Sequence, residues 1–166
     1  MLMLGIDPGT ATTGYAFISE KPDGSYEPVN FGVVLTPSDM AMPRRLQSIY
    51  EQLTALINRY KPDSGAIEEM FFGRNITTAI TVAQGRGVAL LSMTNAGLSI
   101  REFKPAEVKQ TIAGFGNAPK SQMQEMVKTL LKLDKIPKPD DAADACAIAL
   151  TALQYAQWED RVAGGT

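Results

Sequence analysis

The sequence predicts an α/β fold, a mixed β-sheet with helices around it, and three observations carry that reading. The chain has 166 residues, of which 45% are hydrophobic and 20% charged, as in one ordinary globular domain with a sizeable core. An apolar run, Met1 to Ile6, ends in Asp7-Pro8-Gly9-Thr10 and is followed at once by a second run, Thr13 to Ile18. That pattern reads as strand, tight turn, strand, with a carboxylate at the tip of the first strand. Beyond residue 40, segments of helical periodicity alternate with short apolar runs. The resulting order, βββαβαβαα, describes a mixed sheet flanked by helices.

Each element has its own signal. Strands are expected near 2–7, 13–19 and 29–35, joined by turns at Pro8-Gly9 and Pro22-Asp23-Gly24 as an antiparallel meander. From Pro43 to Tyr60, residues Leu46, Ile49, Leu53, Leu56, Ile57 and Tyr60 fall at helical spacing, and Lys61-Pro62-Asp63 stops that helix. Ser64 to Ile67 is a short strand running into Glu68. Residues 76–95 read as a long helix and 99–103 as another strand. Pro105 opens a short helix to Ala113. After a glycine-containing loop, Ser121 and Gln124 form a capping-box pattern opening a helix to Leu133. A last helix is expected from Asp141 to Trp158, with Trp158 as a packing anchor. The domain is expected to fill 1–158, with 159–166 as a flexible tail.

Composition excludes several classes of function. One cysteine, Cys146, forms no internal disulfide and is expected to be buried packing in a reducing cytoplasm. With one Cys and no His, no zinc motif is possible. No run is long enough to span a bilayer, and no leader or membrane partner is expected. Net charge is −2, but from Ser99 to Lys138 there are eight basic and four acidic residues. That stretch is therefore +4 and the remainder −6, a local basic surface compatible with phosphate binding and equally with a solvated helix face.

The chemistry lies in the carboxylates. Glu68 ends a strand as Asp7 does, and neighbouring strands would place both at one edge of the sheet. Asp141 and Asp144 are three apart at a helix start and share a face, while the alanines between and after them permit close approach to a sheet. Singly, each has an ordinary explanation: a helix cap for the aspartates, an edge-strand charge for Glu68, an Asx turn for Asp7. Four acids on three elements cluster only around a divalent cation, and oxygen ligands without His or Cys point to Mg²⁺ or Mn²⁺. Two such ions about 3.5–4 Å apart bind the attacking and leaving oxygens of a phosphodiester.

These residues sit inside a longer pattern. Leu4-Gly5-Ile6-Asp7-Pro8-Gly9-Thr10 with Thr13-Gly14-Tyr15, then Ala66-Ile67-Glu68, Gln84-Gly85-Arg86-Gly87-Val88, Val108-Lys109-Gln110-Thr111, Lys120-Ser121-Gln122 and Asp141-Ala142-Ala143-Asp144-Ala145 follow one another in order. The chain resembles the RuvC family of Holliday-junction resolvases over nearly its whole length. The resemblance implies a ribonuclease H-like fold and a bacterial, cytoplasmic homodimer. It implies symmetric two-metal-ion nicking of four-way DNA junctions in recombination and repair, leaving 5′-phosphate and 3′-hydroxyl ends. It carries the catalytic and metal-binding roles onto Asp7, Glu68, Asp141 and Asp144, with two Mg²⁺ per subunit. Family members differ at the position of Asp141, some having His. The doublets Glu68-Glu69 and Asp140-Asp141 leave the register to the flanking Ala-Ile and Asp-Ala-Ala-Asp patterns. The loop after Glu68 carries Phe71, Phe72 and Arg74; the resemblance implies that this loop reaches the junction centre, and one of the two phenylalanines is expected to be core, Phe72 rather than Phe71. Lys109 and Lys120 match lysines placed near DNA. A RuvA/RuvB-type branch-migration complex is a partner on which the sequence is silent.

A second reading keeps the fold and changes the substrate to RNA, as in YqgF-type processing nucleases. Those resemble this chain in the opening hairpin and are not expected to share Lys120-Ser121-Gln122 or the aromatic loop. An actin-type ATPase opens with a similar hairpin but needs a second lobe that 166 residues cannot supply.

Overall fold

A computed structural model describes residues 1–70 and 76–164, the side chains of Ile76 and Thr77 aside. Phe71, Phe72 and Arg74 lie outside the described residues. The elements are β1 (Leu2–Asp7), β2 (Thr12–Glu20), β3 (Tyr26–Leu35), α1 (Met42–Tyr60), β4 (Ser64–Glu68), α2 (Ile76–Asn95), β5 (Ser99–Phe103), α3 (Pro105–Ala113), α4 (Lys120–Leu130) and α5 (Asp140–Ala163). They build a five-stranded sheet in the order β3-β2-β1-β4-β5. β2 runs antiparallel to β1 and β3, and β4 runs parallel to β1 and β5, so β2 alone opposes the other four. This mixed sheet with helices on both faces is the expected ribonuclease H-like fold.

Strand alternation sorts the core into two halves. Leu4, Ile6, Phe17, Val34 and Ile67 pack against Ile49, Leu53 and Ile57 of α1 and Ala89 and Met93 of α2. On the opposite face, Met3, Ala16, Ile18, Ala66 and Phe103 meet α3, α4 and the alanine-rich α5, with Cys146 buried among them. Burial pushes the Cys146 thiol up to about 12, which keeps it inert.

The contact between α5 and the sheet is unusually close, and two glycines permit it. A Cβ on Gly5 would stand 2.3 Å from the Ala145 carbonyl oxygen and 2.6 Å from the Ala149 nitrogen. One on Gly14 would stand 2.0 Å from the carbonyl oxygen of Asp141. The main chain of α5 therefore rests on bare backbone of β1 and β2, with Ala145 and Ala149 adding little bulk between them.

Several boundaries differ from expectation, each for a physical reason. β3 begins at Tyr26, three residues early, because as an edge strand it tolerates Pro28, and a register shift opposite Phe17 and Ile18 absorbs the missing donor. No Ser121–Gln124 capping box forms: Pro119 occupies the cap position, and the Gln124 amide donates instead to Asp140 Oδ1 at 3.0 Å. α4 stops at Leu130 rather than Leu133, since Lys132 takes a left-handed conformation. α5 runs on to Ala163, held past Trp158 by the forked pair of Arg101 with Glu159. Trp158 is not a packing anchor, being 61% exposed on the outer side of that helix.

Candidate active site

The last pair between β1 and β4 is Ile6 with Ile67, so Asp7 and Glu68 come next, side by side at the carboxyl ends of parallel strands. Alternation settles their direction. Asp7 follows Met3 and Gly5, and Glu68 follows Ala66, so both carboxylates face α5. This is also where the strand order reverses, the usual place for a ligand crevice in such sheets. The glycine floor then brings the start of α5, with Asp141 and Asp144, down beside them.

Asp7, Glu68 and Asp144 line one cavity of about 270 Å³ together with Lys109 of α3 and Lys120 of α4. Val108, Met123 and Ile148 supply its apolar wall. Asp141 does not line it, but its charge acts on both Asp7 and Asp144. Burial, reinforced by the charges of Asp144, Glu68 and Asp141, pushes the Asp7 carboxyl up to about 8 against the opposing pull of Lys120. Burial and Asp144 raise Glu68, opposed by Lys109. Burial likewise raises Asp144 in spite of the ammonium of Lys120 at 3.1 Å. Two lysines therefore do not balance this group of acids.

Asp140 is a different kind of residue. It pairs with Lys138 at 3.1 Å and Lys120 at 3.3 Å and accepts from Gln124, and these three hold its carboxyl below the usual range. Its partners are two lysines and an amide, and within the Asp140-Asp141 doublet it is Asp141 whose charge acts on Asp7.

Among the described residues no three acids are gathered into a ready-made ion cage. The donor set still suits a hard divalent cation. It is all carboxylate oxygen on three separate elements, half-buried and short of positive charge. What sequence reasoning missed is the bridge that Lys120 makes between Asp144 and Asp140, and Arg86, whose Nε donates to the Glu68 carbonyl at 3.1 Å. Both join residues far apart in the chain, and no local pattern announces either.

The burial of Asp7 makes a thermodynamic prediction. Its folded-state pKa lies above the ordinary value of 3.8, so its contribution to stability is full below that pH and is lost as pH rises toward about 8. Without divalent cation, Asp7→Asn should melt several degrees above the unsubstituted protein at pH 8 and alongside it at pH 4. Mg²⁺ should raise the melting temperature of the unsubstituted protein more than that of the variant. Equal melting of the two metal-free proteins at pH 8 would refute the strain assigned to Asp7.

Comparison with known proteins agrees with this geometry. The family model described as crossover junction endodeoxyribonuclease RuvC matches residues 3–152. A relative from Chloroflexus aggregans with that description is 52% identical over 150 residues, covering 90% of this chain and 91% of its own. The solved structure of Thermus thermophilus RuvC superposes with a TM-score of 0.89 at 32% identity, covering 96% of this chain and 97% of that one. T. thermophilus RuvC in complex with Holliday junction substrate superposes with a TM-score of 0.87 at 30% identity over 95% and 96% of the two chains. The hairpin acid, the strand-end acid and the helix-start acids all fall within the matched span, and the chain belongs to the RuvC family of crossover junction endodeoxyribonucleases.

Proposed function

We propose that this chain resolves four-way DNA junctions by hydrolysing one phosphodiester in each of two opposed strands at the cavity between β1, β4 and α5. The observation that carries the proposal is the meeting of Asp7, Glu68 and Asp144 with Lys109 and Lys120 around one cavity. Acids alone would repel a phosphate, and lysines alone would bind it without activating water. Asp7, Glu68, Asp141 and Asp144 would together hold two Mg²⁺ ions, or Mn²⁺ in their place. Bound there, the ions supply positive charge at the phosphate oxygens and lower the pKa of the attacking water. The carboxylates fix where that charge sits. Lys109 and Lys120 draw the phosphate in, and their contribution weakens as salt rises. The apolar wall of Val108, Met123 and Ile148 limits solvent on one side, which strengthens each charge interaction. The products are assigned as 5′-phosphate and 3′-hydroxyl ends. The junction as substrate rests on the T. thermophilus protein solved with one. Phe71, with Phe72 and Arg74 beside it, is assigned to the junction centre on the sequence pattern.

Two symmetric nicks need two sites related by a two-fold axis, and a C₂ dimer provides them. We assign the seam to α2. Its outer face presents Ile80, Gln84, Gly87 and Leu91 at alternating spacings of four, three and four residues, all exposed, with Ile80 and Leu91 at 55% and 51%. Gly87 has nothing near its missing Cβ, so a partner helix can approach there.

Incubation of a labelled four-way junction, a linear duplex and an RNA hairpin in Mg²⁺ tests the activity. The junction alone should be cut, in paired strands, and chelator should stop it. Preferential cleavage of the RNA would favour the processing-nuclease alternative. Asp7→Asn, Glu68→Gln, Asp141→Asn and Asp144→Asn should each cost more than about 100-fold in rate, beyond the loss usual for supporting residues, while still binding the junction. Asp140→Asn should keep most activity, and an inactive Asp140→Asn beside an active Asp141→Asn would shift the register by one. Replacing both Ile80 and Leu91 by Asp should give a monomer by sedimentation and abolish paired nicking. A dimer that survives both changes would place the seam elsewhere.

A further inference from the structure

We propose that Arg86 is a positioning residue for Glu68, acting on the end of β4 from the opposite face of the sheet. The inference rests on the assignment of Glu68 as a catalytic acid.

The end of β4 is incompletely paired by the sheet itself. The Glu69 N–H donates to the Phe103 carbonyl of β5 at 2.8 Å, extending the ladder one residue past the strand. A trans peptide sets its N–H and C=O on opposite sides, so the Glu68 carbonyl faces away from β5. On that side the donor next in line on β1, after Asp7, would be that of Pro8, which has no N–H. The Glu68 carbonyl is thus left without a strand partner at the residue whose side chain enters the cavity. Arg86 Nε supplies the missing donor at 3.1 Å.

Arg86 is itself held in place. Its Nη2 pairs with the carboxylate of Glu102 on β5. Glu102 shares the α2 face with its register partner Ile67, while Phe103 and Glu68 face α5. The Arg86 side chain is only 18% exposed, and its fork serves a carbonyl and a carboxylate at once. One residue earlier, Gly85 lets α2 lie against the Gly9 carbonyl, where a Cβ would stand at 3.0 Å. Arg86 therefore ties together α2, the end of β4 and β5. With that tie gone, the Glu68 peptide is held by its bond to β5 alone, and its carboxylate is aimed less firmly.

The test uses the full-length protein with Arg86→Gln, Arg86→Lys, Glu102→Gln and, as a control, Glu68→Gln. Mn²⁺ binding without DNA is measured by electron paramagnetic resonance. Single-turnover cleavage, junction affinity and melting temperature are measured alongside. Arg86→Gln should weaken Mn²⁺ binding and slow cleavage by about tenfold, as for residues that orient a ligand from behind, with junction affinity unchanged. Arg86→Lys should recover part of both losses, since an ammonium reaches one of the two partners but not both. Glu102→Gln should show a smaller loss in the same direction. Normal Mn²⁺ binding and cleavage per folded Arg86→Gln molecule, beside an inactive Glu68→Gln, would overturn the positioning role, as would a fall in melting temperature alone. An active Glu68→Gln would remove the catalytic assignment itself, and the inference with it.

Discussion

Everything at the site depends on how closely α5 lies on the sheet. Two strands ending side by side place Asp7 and Glu68 together, but two carboxylates on a sheet edge are only a charged rim. They become a site when Asp141 and Asp144 arrive from a third element. That arrival needs the carbonyl of Asp141 and the main chain at Ala145 to occupy space where Gly14 and Gly5 have no side chain. Any larger residue at either position would lift the helix and the two aspartates with it. The alanines of α5 serve the same approach from the other side, and a helix so lined is buried through most of its length.

The close approach has an electrostatic cost. Burying Asp7 under α5, with Asp144, Glu68 and Asp141 brought near it, raises its pKa to about 8 even with Lys120 present. A site of that kind is less stable with its charges unmet than with a divalent cation among them. The same charges that would hold a metal make the metal-free fold weaker as pH rises. Stability and function therefore pull against each other at Asp7, and the remainder of the core on both faces of the sheet carries the difference.

Much of this was legible in the sequence, and for identifiable reasons. Asp7 and Glu68 stand out because a carboxylate ending an apolar run breaks a local rule, and such breaks collect at functional sites. Asp141 and Asp144 could be paired because helical spacing is fixed. The parallel pairing of β1 with β4 decides whether these acids meet, and from the sequence the two strands could only be said to be possible neighbours, because no residue marks a pairing between distant strands. What failed were readings that took a local signal at face value. Ser121 and Gln124 match a capping box, yet Gln124 is drawn to Asp140 sixteen residues on. Trp158 reads as core because tryptophan usually is, and α5 turns it outward. Arg86 sits in a glycine-flanked motif that gave no hint of reaching across the sheet to Glu68.

The claim that the glycine floor assembles the acids is tested most directly by the titration of Asp7 itself. Carboxyl-carbon NMR on the metal-free protein should find Asp7 titrating near 8. In Gly14→Ala, with the protein still folded, the titration should fall well toward the ordinary carboxylate range, because α5 and its two aspartates are displaced and solvent reaches Asp7. An Asp7 that titrates normally in the unsubstituted protein, or one unchanged by Gly14→Ala, would contradict the account.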